Sequence, residues 1–152
     1  MKLSNKGRYG VKAMFDIAFH NHGKPTQIKA IAERQLIPPR FLEQIFQDLK
    51  RAGLVSSKRG PKGGYQLAKP AKEIRVGDIV RALEGPVRLG PSAEGQRRAA
   101  DDTSRAVIDE LFRDLAARSE ACFDEHTLVE LCARGEALGF PRRPPRSYVY
   151  VI

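Results

Sequence analysis

The sequence predicts a mainly α-helical fold with one small β-hairpin, arranged as a winged helix-turn-helix domain followed by a long C-terminal helix. Three observations predict it. The first 52 residues contain three segments whose apolar residues recur three and four positions apart. Two strand-like runs then flank a glycine-rich cationic turn, and a longer apolar stripe begins after residue 103. The predicted units are therefore a domain at 1–85, a loop at 86–102, a helical region at 103–134 and a tail at 135–152.

The first two helices come from apolar periodicity and its interruptions. The first helix is predicted over residues 6–20, and Thr26 is expected to cap a short second helix after a Gly- and Pro-containing break. Pro38 is expected to end that helix region, while Pro39 suits the first turn of the next helix. The apolar face of the first helix comprises Val11, Met14, Phe15, Ala18 and Phe19.

The third helix is predicted over residues 39–52, with Gly53 as its left-handed cap. Its expected buried stripe comprises Phe41, Leu42, Ile45, Phe46 and Leu49. Its opposite face carries long hydrogen-bonding side chains, namely Arg40, Glu43, Gln44, Gln47, Lys50 and Arg51. Two helices joined by a tight turn, the second with a polar face, form a helix-turn-helix pattern.

A hairpin follows the third helix. Residues 54–57 and 65–67 read as strands, and residues 58–64 join them. The turn exposes Lys58, Arg59 and Lys62 on a slim backbone containing Gly60, Pro61, Gly63 and Gly64. A helix-turn-helix followed by a hairpin is a winged helix.

The charge of the chain is concentrated in this first domain. The formal net charge is +9, but residues 1–85 carry 17 Lys/Arg against 7 Asp/Glu, whereas residues 86–152 carry 10 against 11. Such a basic surface attracts a polyanion. The chain has no tryptophan, no apolar run of bilayer length and no secretory h-region, so we expect a cytoplasmic protein without a membrane partner.

Double-stranded DNA is the predicted polyanion. An α-helix fits the major groove, where Gln44 could bond an adenine edge, Arg40 a guanine edge or a phosphate, and Phe41 a thymine methyl group. Lys50 lies on the same polar face. In the wing, an arginine on a thin loop such as Arg59 is suited to a narrow, electronegative minor groove.

The C-terminal half predicts an element for self-association. A long helix is expected from Thr103, as its N-cap, to about residue 121, and a second helical segment over residues 126–133 is expected to end at Gly135. A homodimer would give a helix-turn-helix protein its two half-site readers. The alternative is a helix folded back on its own domain. The stripe assigned to dimerisation comprises Val107, Ile108, Leu111, Phe112 and Leu115.

Catalytic and metal-binding patterns do not emerge from the sequence. The only cysteines, Cys122 and Cys132, have no CxxC spacing, and His20 and His22 are too close in sequence to share a helix face. No set of nucleophile, base and orienting residue is apparent. We therefore expect no enzyme, no metal site and no cofactor.

Several motifs resemble the Rrf2 family of bacterial transcription regulators, and most of all its iron-sulfur cluster regulator branch. They are MKLSNKGRYGVKAM at residues 1–14, FLEQIF at 41–46, LKRAGLV at 49–55 and RGPKGGYQL at 59–67. The resemblance implies a homodimer with crossed C-terminal helices on a pseudo-palindromic operator, the third helix in the major groove and the wing in the minor groove. It implies base-facing roles for Arg40, Phe41, Glu43 and Gln44, and a wing role for Arg59, Gly60, Pro61 and Lys62.

The chain departs from this family pattern in one segment. Cluster-binding members place three cysteines in the loop that corresponds to residues 86–105, and this chain has none there. We therefore expect a regulator, acting as a repressor, without an iron-sulfur cluster. Its signal stays open between an unidentified effector or partner protein and thiol oxidation at Cys122 or Cys132. A winged-helix scaffold that binds proteins is the alternative from another functional class.

Overall fold

The computed structural model describes residues 2–90 and 103–143. Within them, the chain forms six α-helices and one antiparallel hairpin of two strands, which agrees with the predicted mainly α-helical fold with one hairpin. The helix-turn-helix and wing come first, and three helices follow. The elements are α1 Asn5–Asn21, α2 Ile28–Gln35, α3 Pro39–Arg51, β1 Val55–Lys58, β2 Gly64–Leu67, a 3-10 helix Ala71–Glu73, α4 Val76–Glu84, α5 Thr103–Asp124 and α6 Leu128–Ala137.

Helix α1 lies at the centre of the core. It contacts α2, α3, α4, α6 and strand β2. Its Met14 and Ile17 are fully buried, together with Ile31 of α2 and Ile79 of α4. Burying each such side chain contributes about 1.5–3 kcal/mol. The N-terminal winged domain and the C-terminal helix α6 therefore both pack against α1.

A buried carboxylate fixes α2 against α1. Asp16 of α1 is fully buried, and Arg34 of α2 donates to it from Nε at 3.0 Å and from Nη2 at 2.5 Å. Gln35 adds a hydrogen bond from Nε2 at 2.9 Å. Because an unpaired buried charge costs about 3–5 kcal/mol, Asp16 requires this orientation of α2.

Two predictions at the ends of α2 are wrong. Gln27, and not Thr26, precedes the helix, because Thr26 is fully buried and pairs with Tyr65 of β2 as an isolated bridge. The helix ends at Gln35, because Leu36 adopts a left-handed conformation with φ 55°. Pro38 instead occupies the N-cap of α3, with Pro39 in its first turn as predicted.

The C-terminal helices also differ from prediction at their ends. Thr103, predicted as the N-cap, is the first residue of helix α5, and the helix continues to Asp124, beyond the predicted end at about residue 121. Gly135 lies inside α6, where a Cβ atom would come within 2.9 Å of the Phe19 ring, so this glycine permits a close helix crossing. Most of the predicted 86–102 loop and the end of the predicted 135–152 tail, from residue 144 onward, lie outside the described residues. No helix within 2–90 or 103–143 combines the length and apolar character needed to span a membrane.

Candidate nucleic-acid interface

Helix α3 has one fully buried face and one exposed polar face. Leu42, Ile45, Phe46 and Leu49 have no exposed surface. The helix ends as predicted, since Gly53 is left-handed with φ 73°. The opposite face presents all of the expected polar residues to solvent, namely Arg40, Glu43, Gln44, Gln47, Lys50 and Arg51.

The side chain of Phe41 lies partly at the surface and partly against α1. It is half-buried, and its ring packs edge-on against Tyr9 of α1 at a centroid distance of 5.5 Å. Arg40 beside it is exposed. The start of α3 is therefore held by an aromatic contact, and only part of Phe41 is available to a ligand.

An ion pair holds the middle of α3 to the start of α1. Lys6 Nζ lies 2.6 Å from Asp48 Oδ2, and Arg51 lies 2.9 Å from the other carboxylate oxygen. The hydrogen bond from Lys6, aided by the charges of Lys6 and Arg51, lowers the pKa of Asp48. Asp48 therefore stays ionised, offsets the charge of Arg51 and links α3 to α1.

The turn of the wing is shorter than predicted. Strand β1 includes Lys58, which pairs with Gly64 instead of lying in the turn. The turn itself is residues 59–63, of which Gly63 is buried and donates to the carbonyl of Gly60 at 2.9 Å. The exposed turn residues are Arg59, Gly60, Pro61 and Lys62.

The wing and α3 are joined by an aromatic contact and a backbone bridge. The rings of Phe46 and Tyr65 stack at 4.5 Å with an interplanar angle of 13°. The Thr26 amide donates to the Tyr65 carbonyl at 2.8 Å, and the Tyr65 amide returns a bond to Thr26 at 2.9 Å. Strand β2 is therefore paired on both sides, with β1 and with the connection between α1 and α2.

Two side-chain hydrogen bonds complete this connection. Lys50 Nζ donates to Ser57 Oγ of β1 at 2.7 Å, so this predicted DNA-binding lysine bridges α3 and the wing. Gln27 Nε2 donates to the Pro61 carbonyl at the tip of the wing at 3.3 Å. Sequence reasoning missed Gln27, because nothing in its local pattern indicates a partner in the wing.

The cations of α3 and the wing are largely uncompensated. In the described part of the chain, Arg40, Lys58, Arg59 and Lys62 make no ion pair with a carboxylate. Glu43 supplies a negative charge on the exposed face of α3. A positive surface of this kind favours polyanion binding, and the lone carboxylate can discriminate among its partners.

Helix α5 leaves its predicted stripe uncovered. The five residues Val107, Ile108, Leu111, Phe112 and Leu115 are exposed by between 39% and 59%. The C-terminal end of α5, in contrast to the stripe, is attached to α4, because Arg81 of α4 donates to Asp124 Oδ1 at 2.7 Å. This hydrogen bond raises the pKa of Arg81. The stripe is thus not folded back on the described residues of its own domain.

The donors of this chain do not fit an iron-sulfur cluster. Cys122 is exposed on α5, Cys132 is buried on α6, and burial raises the pKa of the Cys132 thiol. Cluster binding needs several thiolates in one place, and residues 86–105 contain no cysteine. Within residues 2–90 and 103–143, no group of three His, Cys, Asp or Glu side chains could hold a metal ion.

Comparisons with known proteins agree with the winged helix-turn-helix fold described above. Residues 3–134 match the Rrf2 family model, which is described as an iron-dependent transcriptional regulator. The HTH-type transcriptional regulator IscR of Vibrio atlanticus is 41% identical over 138 residues, which are 91% of this chain and 79% of the relative. That relative is named as a transcriptional regulator, which is a class of DNA-binding proteins without enzymatic activity.

Two solved structures support the same assignment. CymR, the global cysteine regulator of B. subtilis, has a TM-score of 0.72 and 34% identity, with 88% of this chain and 98% of CymR covered. T. potens IscR has a TM-score of 0.69 and 36% identity, with 93% of both chains covered. The chain belongs to the Rrf2 family of winged-helix transcription regulators.

Proposed function

We propose that this protein is a cytoplasmic repressor that binds a specific, pseudo-palindromic DNA operator as a homodimer. The observation that carries the proposal is the connection between α3 and the wing. The stacked rings of Phe46 and Tyr65 hold a polar helix face and a cationic turn together. A helix and a wing held in this way can enter a major groove and the neighbouring minor groove at the same time.

The side chains divide into those that read bases and those that bind the backbone. Arg40 and Gln44 suit guanine and adenine edges, and part of Phe41 suits a thymine methyl group. Glu43 accepts from cytosine and repels phosphate and guanine acceptors, so it selects sites by exclusion. Arg59 is the minor-groove side chain. The backbone contacts are assigned to Lys50, Lys58 and Lys62, with Gly60 and Pro61 shaping the turn.

The exposed stripe of α5 supports the proposed dimerisation. Five large apolar side chains on one face of a helix are unfavourable in water and favour contact with a second copy. Two helix-turn-helix units must also be held about one DNA turn apart to read an operator. A symmetric contact through α5 would cover the apolar stripe and would also hold the two units at this spacing.

For the signal, we propose an unidentified effector or partner protein, acting without an iron-sulfur cluster. The alternative is thiol oxidation. Cys122 is exposed and Cys132 is buried, so Cys122 is the cysteine that an oxidant would reach more easily. Oxidation that changes DNA affinity in the wild type but not in Cys122→Ser would favour this alternative. Equal binding by reduced and oxidised protein would exclude it.

The function is tested by fluorescence anisotropy with a duplex selected from a random pool and with random duplex. Gln44→Ala should lose roughly 1–3 kcal/mol on the selected duplex and little on random duplex, whereas Lys58→Ala should weaken both about equally. Log affinity should also fall steeply with log salt. Failure to bind any duplex at low salt would contradict the proposal and favour the protein-binding scaffold. Equal losses on both duplexes for Gln44→Ala would remove its base-reading role.

A further inference from the structure

The residues that follow α6 pack against the C-terminal end of α1. We refer to residues 139–143 as the C-terminal segment; they lie beyond residue 134, where the match to the family model ends. Arg142 makes most of the contacts. Its Nη1 donates to the Phe19 carbonyl at 3.1 Å, its Nε donates to Glu136 at 3.0 Å, and its guanidinium lies 5.0 Å from the centre of the Phe19 ring. One arginine thus joins α1 to the end of α6.

Two histidines of α1 accept hydrogen bonds from the same segment. The Arg143 backbone amide donates to His20 Nδ1 at 2.8 Å, and Arg142 Nη1 donates to His22 Nδ1 at 2.9 Å. An amide and a guanidinium can only donate. Both rings must therefore be neutral at Nδ1, and protonation of either ring would replace an acceptor with a donor.

The surroundings of His20 also oppose its protonation. Burial lowers the pKa of His20, the Asp16 carboxylate raises it, and the charges of Arg34, Arg143 and Arg142 lower it. Glu33 of α2 lines the same cavity as His20. His22 lines a second cavity with Lys69 and Arg142. A proton on the His20 ring would add a cation beside Arg34, Arg142 and Arg143.

The end of α1 that carries these histidines is attached to the wing. His22 is the left-handed C-cap of α1, with φ 51°. The next residue, Gly23, accepts a hydrogen bond from the amide of Leu67, the last residue of β2, at 3.0 Å. The Leu67 side chain also packs against Gly23. Whatever fixes His22 therefore fixes the base of the wing.

We propose that Arg142 is a positioning residue which, through the C-terminal segment, fixes the base of the wing, and that protonation of His20 releases this segment. The role in DNA binding rests on the proposed function, because it requires the wing to contact DNA. The release itself does not. Arg142 acts through the end of α1 and Leu67, and it needs no contact with DNA.

The first experiment follows the segment without DNA. In NMR spectra of the full chain recorded from about pH 7.5 downward, the Arg143 amide should shift together with the ring signals of His20, with a midpoint below the usual histidine pKa of about 6.5 because burial lowers the pKa of His20. In a His20→Asn/His22→Asn double variant, Oδ1 remains an acceptor and cannot titrate, so the shift should vanish. An Arg143 amide that does not follow His20 would overturn the proposal, whether or not the protein binds DNA.

The second experiment measures anisotropy with a selected duplex and uses a neighbouring arginine as the control. Arg142→Ala should weaken binding roughly three- to tenfold at about pH 7.5, and by much less at a pH below the His20 midpoint that the NMR titration gives. Arg143→Ala removes an equal charge but keeps the backbone amide that bonds His20, so it should weaken binding less. Equal losses for both variants, or a loss independent of pH, would show that only charge matters and would overturn the positioning role.

Discussion

Gly64 at the start of β2 provides a sharp test of how the wing is attached. Its φ is 139°, and a Cβ atom there would lie 2.2 Å from the Thr26 carbonyl oxygen. That oxygen accepts the Tyr65 amide, so Gly64→Ala must displace the bridge between Thr26 and Tyr65. Gly60 in the turn is the matched control, because its φ is 110° but a Cβ atom there would have no neighbouring atom within 4 Å.

The two substitutions should differ in free energy of unfolding. Backbone strain at a glycine-only φ costs of order 1–3 kcal/mol, and both variants incur it. Gly64→Ala also loses two hydrogen bonds, each worth about 0.5–1.5 kcal/mol, so it should be about 2 kcal/mol less stable than Gly60→Ala. Urea unfolding followed by circular dichroism measures this, and the Tyr65 amide should exchange faster in Gly64→Ala alone. Equal losses, with Tyr65 still protected, would refute the bridge as the anchor of the wing.

Three further predictions concern the turn between α2 and α3, helix α3 itself and helix α5. Leu36 is 87% exposed at φ 55°, so Leu36→Gly should raise stability by about 1 kcal/mol in urea unfolding, while Leu36→Ala should not. Because the pKa of Asp48 is lowered in the folded protein, its ion pair stabilises the fold above the usual aspartate pKa of 3.8. This contribution should be lost as pH falls through the lowered pKa, and Asp48→Asn should flatten the acid limb of the stability profile; an unchanged limb would contradict the pairing. In α5, Leu111→Asp should yield monomers by light scattering, while Ala106→Asp on the opposite side of the helix should leave dimers intact. A dimeric Leu111→Asp variant would remove the stripe from the interface.

The helices and the wing could be predicted because their signals are local. The buried stripe of α3 follows from apolar spacing, and the wing follows from glycine and proline beside cations. Thr26 was misassigned because the prediction used local signals alone. Its position before a helical pattern favours a cap, but its true partner, Tyr65, belongs to a distant strand. A single backbone bridge leaves no periodicity in the sequence.

Asp16 shows a second limit of local patterns. It lies among apolar neighbours in α1, where an acid would normally face solvent. It is buried because Arg34 and Gln35 of α2 complete its hydrogen bonds. The packing of α2 on α1 decides this, and the sequence of either helix alone does not.

Residue types at short spacing were enough to predict the helix-turn-helix, the wing, the concentration of charge in the first domain and the family. How these parts are joined became known from the folded chain alone. It paired Thr26 with Tyr65, placed Lys50 against Ser57 and brought Arg142 to His22. Such contacts depend on how whole elements pack around α1. Packing of this kind is set by the shape of the entire core, which no short stretch of sequence contains.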